Sequence, residues 1–237
     1  MKMIQWSVLS ALLVPLVATM PVARADVTFN LSTTINGTSP VGATPWLTAT
    51  FEDIAAGDVK LTLTNNLLSG QFITDVLFNS KLDSTGLTFT EFNAGAPPTV
   101  LSVTQSATQN LTGGSQIKGG GYNIDINYDN SPPVNRFGTQ GGTVSIFEIT
   151  GAGLTAANFL KPSLDNGSMF GGPYYMAADV LGIPAGTDGQ TISGSIGDTF
   201  AFVGTTSAVP EPETYAMMLA GLGLMGFVAM RRKQQAA

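Results

Sequence analysis

The sequence contains no cysteine and no histidine, and only 11% of its 237 residues are charged. Without cysteine there are no disulfides, no thiol nucleophile, no iron–sulfur cluster and no thiolate zinc site. Without histidine there is no Ser-His-Asp triad and no imidazole general base. Long amphipathic helical patterns are missing too, which disfavours a parallel α/β architecture with helical crossovers. Clustered cations are absent between Asp26 and Val209, where 14 acidic residues face 5 basic ones. Such a segment cannot neutralise a phosphate backbone, so nucleic acid is excluded as a partner, and anionic lipid headgroups should repel it.

What is present begins with two hydrophobic ends. The first has Lys2, an apolar run from Val8 to Met20, and Ala23-Arg24-Ala25. A cation, a short apolar stretch and a small-x-small site are the parts of a secretory signal peptide. The run is interrupted by Pro15 and is shorter than the ~20 residues that span a bilayer. Residues 1–25 are therefore expected to be removed at Ala23 and Ala25, leaving Asp26 as the first residue and implying the secretion machinery as a partner.

The second hydrophobic end reads Pro210-Glu211-Pro212-Glu213, an uncharged run from Tyr215 to Met230, then Arg231-Arg232-Lys233. Sixteen helical residues rise ~24 Å, and Tyr215 with a snorkelling Arg231 makes up most of the shortfall against a ~30 Å hydrocarbon core. Residues 215–230 are expected to form one transmembrane helix. The three cations, Arg231, Arg232 and Lys233, act as its stop and favour a cytoplasmic end, placing the preceding domain outside. The two prolines keep residues 210–212 extended, and Glu211 and Glu213 complement the dipole at the start of the helix.

A Pro-Glu-Pro motif, a short apolar helix and a basic stop in this order resemble the tail of PEP-CTERM proteins, over residues 210–233. The resemblance implies a bacterial protein that is exported, held in the inner membrane and processed near Pro210-Glu211-Pro212 by exosortase, a membrane-embedded transpeptidase-like enzyme. It implies a destination at the cell surface, in the cell envelope or in the extracellular matrix.

Between the ends, residues 26–209 make up one domain of 184 residues, enough to bury roughly 70% of the unfolded surface. Phe29 and Leu31 alternate with Thr28, Asn30 and Ser32; Val59, Leu61 and Leu63 alternate with Lys60, Thr62 and Thr64. Phe72, Val76 and Phe78 read as one face of a strand against Asp75 and Asn79, with Ile73 and Leu77 making that strand apolar on both sides. Tyr122, Ile124, Ile126 and Tyr128 oppose Asn123, Asp125, Asn127 and Asp129. Val144, Ile146, Phe147 and Ile149 read as a strand buried on both sides. Period-2 runs of this composition are strands, and Gly-rich or Pro-rich turns separate them. The fold class is all-β, an antiparallel β-sandwich. Leu154 to Leu160 is the one short helical candidate.

The domain also resembles other ectodomains of the PEP-CTERM group. Trp46 and Phe51, the Val59-x-Leu61-x-Leu63 strand, Phe78-Asn79, and Met176 to Ile183 followed by Gly194-Ser195-x-Gly197 carry this resemblance. In many of those domains a His stands where this sequence has Asp179. The resemblance implies a shared sandwich and no assigned activity.

Candidate chemistry is sparse. Asp125-x-Asn127-x-Asp129-Asn130 begins like a calcium loop, but Asn130 replaces the required Gly and Arg136 stands where a Glu is needed. Residues alternating along one strand face are also ~7 Å apart, too far to converge on an ion. A polar solvent face is expected there, and no metal or cofactor. Glycosidase chemistry needs two carboxylates ~5–9 Å apart across a cleft; Glu52, Glu91 and Glu148 show no such pairing in the sequence. The Asn-x-Ser/Thr triplets at Asn30, Asn36, Asn110 and Asn166 reflect composition. Tyr174-Tyr175, after Gly171-Gly172-Pro173, is the best candidate for a contact surface. The expected function is that of a non-enzymatic structural or adhesive protein of the envelope or extracellular polysaccharide layer. The alternative is a secreted carbohydrate-binding module or hydrolase carrying the same tail.

Overall fold

The computed structural model describes residues 25–92, 97–111, 121–164, 173–185, 190–198, 201–205, 220–222 and 224. In chain order the strands are β1 (Ala25–Leu31), β2 (Thr33–Gly37), β3 (Leu47–Ala55), β4 (Asp58–Asn65), β5 (Phe72–Phe78), β6 (Thr88–Glu91) and β7 (Val100–Gln105). They continue with β8 (Ile124–Tyr128), β9 (Phe137–Gly138), β10 (Val144–Thr150), β11 (Met176–Pro184), β12 (Thr191–Asp198) and β13 (Ala201–Thr205). One sheet has the order β13-β1-β3-β4-β10-β6. The other runs β2-β12-β11-β5-β8-β7, with β9 also paired to β5. Neighbouring strands are antiparallel throughout both sheets. The all-β antiparallel reading of the domain therefore holds, and residues 23–209 form one compact unit.

The alternating runs become strands because one face of each is driven out of water. Along β4 the residues Val59, Leu61 and Leu63 are fully buried while Lys60, Thr62 and Thr64 are half-exposed. β3 and β4 join through Ala56-Gly57, where Gly57 takes the left-handed conformation (φ +85°) that a tight hairpin requires. The inner faces of the two sheets enclose one core around Phe29, Phe51 and Phe78. The helical candidate is a single 3-10 turn, Ala156–Phe159. It is capped by Thr155 and Asn158 and fixed to β3 by the Ala156 amide, which donates to Asp53 Oδ1 at 2.6 Å. This turn drives Phe159 between the sheets, stacked on Phe51 with ring centroids 4.2 Å apart.

One residue, Ser32, carries the chain from β1 in the first sheet to β2 in the second. The return is made where β12 pairs β2 and β13 pairs β1. The two ribbons thus run side by side through both sheets and tie them together along one edge. At this corner the Asn30 amide donates to Asp198 Oδ2 at 2.7 Å.

Three expected strand faces change. A bulge at Thr74 lets Asp179 and Val180 pair with Asp75 and Ile73; the extra residue reverses the alternation. Ile73 therefore shares the core with Val76 and Phe78, and Phe72 instead lies beneath the Arg136 guanidinium. Tyr122 precedes the regular part of β8, so it packs in a second apolar cluster rather than with Ile124 and Ile126. On β10 only the face of Ser145, Phe147 and Ile149 is buried; Val144 is exposed and Ile146 half-exposed.

Candidate functional site

β5 reads Phe-Ile-Thr-Asp-Val-Leu-Phe and β11 reads Met-Ala-Ala-Asp-Val-Leu-Gly-Ile-Pro, so each apolar strand holds one acid. Pairing places Asp179 directly opposite Asp75. Asp75 in turn faces Asn127 on β8, and Asp179 faces Ser195 on β12. Four polar side chains thus form a row across the outer face of the second sheet. Asp125, two residues before Asn127 on the same strand face, stands beside them.

The row is buried and partly self-satisfied. Asp75 is 8% exposed and Asp179 5%. Ser195 Oγ donates to Asp179 Oδ1 at 3.0 Å, and Asn127 Nδ2 donates to Asp75 Oδ1 at 2.7 Å. Asp125 Oδ1 is buried without a hydrogen-bond partner among the described residues. Removing a carboxylate from water disfavours its charged form, and a like charge nearby adds to this. Burial, then the charges of Asp75 and Asp179, push Asp125 up to about 7. Burial also pushes Asp179 up to about 7, assisted by the Asp75 charge and partly opposed by the Ser195 hydrogen bond. Chemically, Asp125 and Asp179 are the groups here that hold protons near neutrality. Among the described residues no three acidic side chains are placed to hold a metal ion.

Beside the row, Ile35, Leu77, Tyr122, Tyr174 and Ala177 form a small apolar cluster. The structure places the two residues of the expected Tyr174-Tyr175 contact surface on opposite sides of their segment. Successive residues of an extended segment point to opposite sides, so Tyr174 is buried in this cluster. Tyr175 packs against the main core and stacks on Phe29 at 5.9 Å. Tyr174 is thus buried and Tyr175 half-buried. The expected solvent face at Asp125 and Asn127 is likewise half-buried, because Asp75 and Asp179 converge on it from the neighbouring strands. Asp129 does lie outside this row, where its carboxylate accepts from the Ser131 amide and from Asn135 Nδ2. A lone acid inside each of two apolar strands was the signal available in the sequence.

Ala23, Pro210, Glu211, Pro212, Arg231, Arg232 and Lys233 lie outside the described residues, as do nearly all of residues 1–25 and 215–230; Ala25 opens β1. Residues 220–222 and 224 are helical. Among the described residues no helix is long and apolar enough to cross a membrane.

Residues 208–233 match the family model of the PEP-CTERM protein-sorting motif. The chain carries a PEP-CTERM sorting signal. The match takes in Pro210-Glu211-Pro212, the apolar run and the basic stop together. Such a signal belongs to exported proteins sorted through exosortase, so exosortase is the processing partner that the tail implies. No curated protein and no solved structure matches the chain.

Proposed function

We propose that this protein is exported on a cleaved leader, held in the inner membrane by residues 215–230, and processed by exosortase near Pro210-Glu211-Pro212. The β-sandwich then serves a structural or adhesive role in the envelope or extracellular matrix. The PEP-CTERM match at residues 208–233 is the observation that carries this reading. The composition of the domain agrees with it: a Thr-rich, Ser-rich and Asn-rich surface of low charge can adhere through many weak polar contacts without catalytic groups. A non-catalytic role is further supported by the acid row, since Asp75 and Asp179 spend their hydrogen bonds within the sheet and are almost wholly covered. A general acid or base must reach its substrate within hydrogen-bond distance.

The test is fractionation of the native host with mass determination of the mature C-terminus. Protein in the surface or matrix fraction, truncated near residue 212, is the expected outcome. Mature protein that retains Ala237 in a host containing exosortase would overturn the reading.

A further inference from the structure

We propose that a depression on the outer face of the second sheet, at the start of β5, binds a carboxylate-bearing sugar unit, with Arg136 holding the carboxylate. The depression measures about 390 Å³ and is lined by Phe72 and Arg136, the end of β11 at Leu181 and Gly182, and the start of β12 at Thr191 and Ser193. That volume is in the range of small-molecule sites, about 300–1,000 Å³.

Arg136 is the only arginine between Asp26 and Val209. Its guanidinium lies 4.1 Å above the centre of the Phe72 ring. Nε donates to the Asn130 carbonyl at 2.8 Å, and Nη1 reaches Gln140 Oε1 at 3.5 Å. Among the described residues the one ion pair is Lys60 with Glu52, so no acid there neutralises Arg136. A guanidinium held over a ring and fixed at Nε has lost much of its rotational freedom before any ligand arrives. Its remaining donors form the planar fork that suits a carboxylate.

The other walls supply what a sugar ring requires. Thr191 and Ser193 bring hydroxyls that can donate or accept. Leu181 offers apolar surface for the C–H face of a pyranose. Gly182 has φ +76°, and a Cβ there would collide with the Gly70 carbonyl, so no side chain is tolerated at this point of the wall. Charge favours a carboxylate over a phosphate. The depression offers one guanidinium, in a domain where 14 acidic residues face 5 basic ones. One cation balances a monoanion, whereas a dianionic phosphate would stay uncompensated. A uronate combines the single carboxylate, the hydroxyls and the apolar ring face.

This inference rests on the proposed arrival of the domain in a polysaccharide layer, and it names the chemistry the domain meets there. The test is calorimetric titration of the full chain, purified in a non-ionic detergent, with trigalacturonate, maltotriose and citrate. Saturable binding of trigalacturonate, at least tenfold weaker for maltotriose and citrate, is expected. Arg136→Gln and Arg136→Lys should each lower affinity for trigalacturonate at least tenfold, because lysine keeps the charge but not the fork. Ser193→Ala should lower it a few-fold and serves as a second probe if an Arg136 variant does not fold. Absence of saturable binding, or binding unchanged by all three substitutions, would overturn the proposal. Equal binding of citrate would overturn the sugar assignment, and equal binding of maltotriose the role of the carboxylate. The C-terminal mass of the mature protein is read separately, so failure here and failure of the sorting reading are distinct results.

Discussion

Asp179 on β11 stands directly opposite Asp75 on β5, both almost wholly buried, in the middle of the second sheet. Burial and the neighbouring Asp75 charge make Asp179 hold a proton that the unfolded chain releases. The sign of the resulting pH dependence follows. Asp125 and Asp179 are raised to about 7 in the folded protein, against an ordinary carboxylate value of about 3.9 for Asp. Between about pH 4 and pH 7 the native state binds more protons than the unfolded state, so stability falls as pH rises through this window and levels off above it. Each unit of raised pKa corresponds to about 1.4 kcal/mol, and 1 kcal/mol moves the melting temperature by about 2–4 °C in a domain of this size. Melting curves should therefore show the protein more stable at pH 5 than at pH 7.5 by at least several degrees. A melting temperature that rises from pH 5 to 7.5 would contradict this account of the row.

Asp179→Asn should flatten that profile. The amide keeps the shape of the carboxylate, and its carbonyl still accepts from Ser195, but it carries no charge to repel Asp75. Stability at pH 7.5 is expected to rise by about 1–3 kcal/mol, because a neutral amide avoids first the burial of a charge and then its repulsion by Asp75. Ser195→Ala should act in the opposite sense on the same group, because its hydroxyl stabilises the ionised Asp179. Carbon-13 NMR of the aspartate carboxyls would then show the Asp179 midpoint displaced upward. A midpoint left where it was would mean that the hydroxyl does not act on this carboxylate.

Phe159 is the larger of the two side chains, with Ala156, that the 3-10 turn buries in the core, and it is stacked on Phe51 and in edge contact with Phe78 at 5.8 Å. Phe159→Ala should cost about 3–5 kcal/mol, seen as a drop of about 10 °C or more in melting temperature. Phe159→Leu should recover part of the loss. A drop of only one or two degrees for the alanine variant would show that the turn is not part of the cooperative core.

The legibility of this molecule follows the range of the interactions involved. β3 and β4 could be read because each buries one face, which leaves a period of two in the residues themselves. β5 could be recognised as a strand but its faces could not be assigned. All seven of its residues are buried, so nothing in their order marks the bulge at Thr74. The acid row was hidden for a different reason. Asp75, Asp125 and Asp179 meet only through the pairing of β5 with β8 and β11, and that register is set by non-local packing. Tyr174 misled because a Gly- and Pro-rich approach resembles an exposed loop, while the apolar patch at Ile35, Leu77 and Ala177 that covers it comes from distant strands. The tail was the most legible part, since its proline pair, apolar run and cations are consecutive.

At the other end of the chain, Ala23-Arg24-Ala25 sets the expected cleavage point, so mature protein should begin at Asp26. β1 then keeps the pairs from Asp26 to Leu31 with β3. N-terminal sequencing of protein from the native host checks this directly, and retention of residues 1–25 would remove the signal-peptide reading.

The tail itself permits the sharpest test of sorting. If Pro210-Glu211-Pro212 is the recognition element, its backbone must be extended and accessible just outside the membrane, with residues 215–230 fixing its depth. Proline blocks helix at and before its own position, whereas alanine is the strongest helix former. Replacing all three residues by alanine should let the proposed apolar helix grow outward through the motif and remove the processing geometry, while export on the proposed leader continues. The variant should accumulate in the inner-membrane fraction at its full C-terminal mass, with wild type processed alongside. Replacing Arg231, Arg232 and Lys233 by alanine should fail differently, because in the proposed topology the cations set the stop and the orientation. Part of that protein should pass through the membrane or insert with altered topology, which protease accessibility would report. A simple anchor requires another pattern: the alanine variant at residues 210–212 would fractionate like wild type, and both would keep Ala237. That pattern, in a host that contains exosortase, would rule out sorting through this motif.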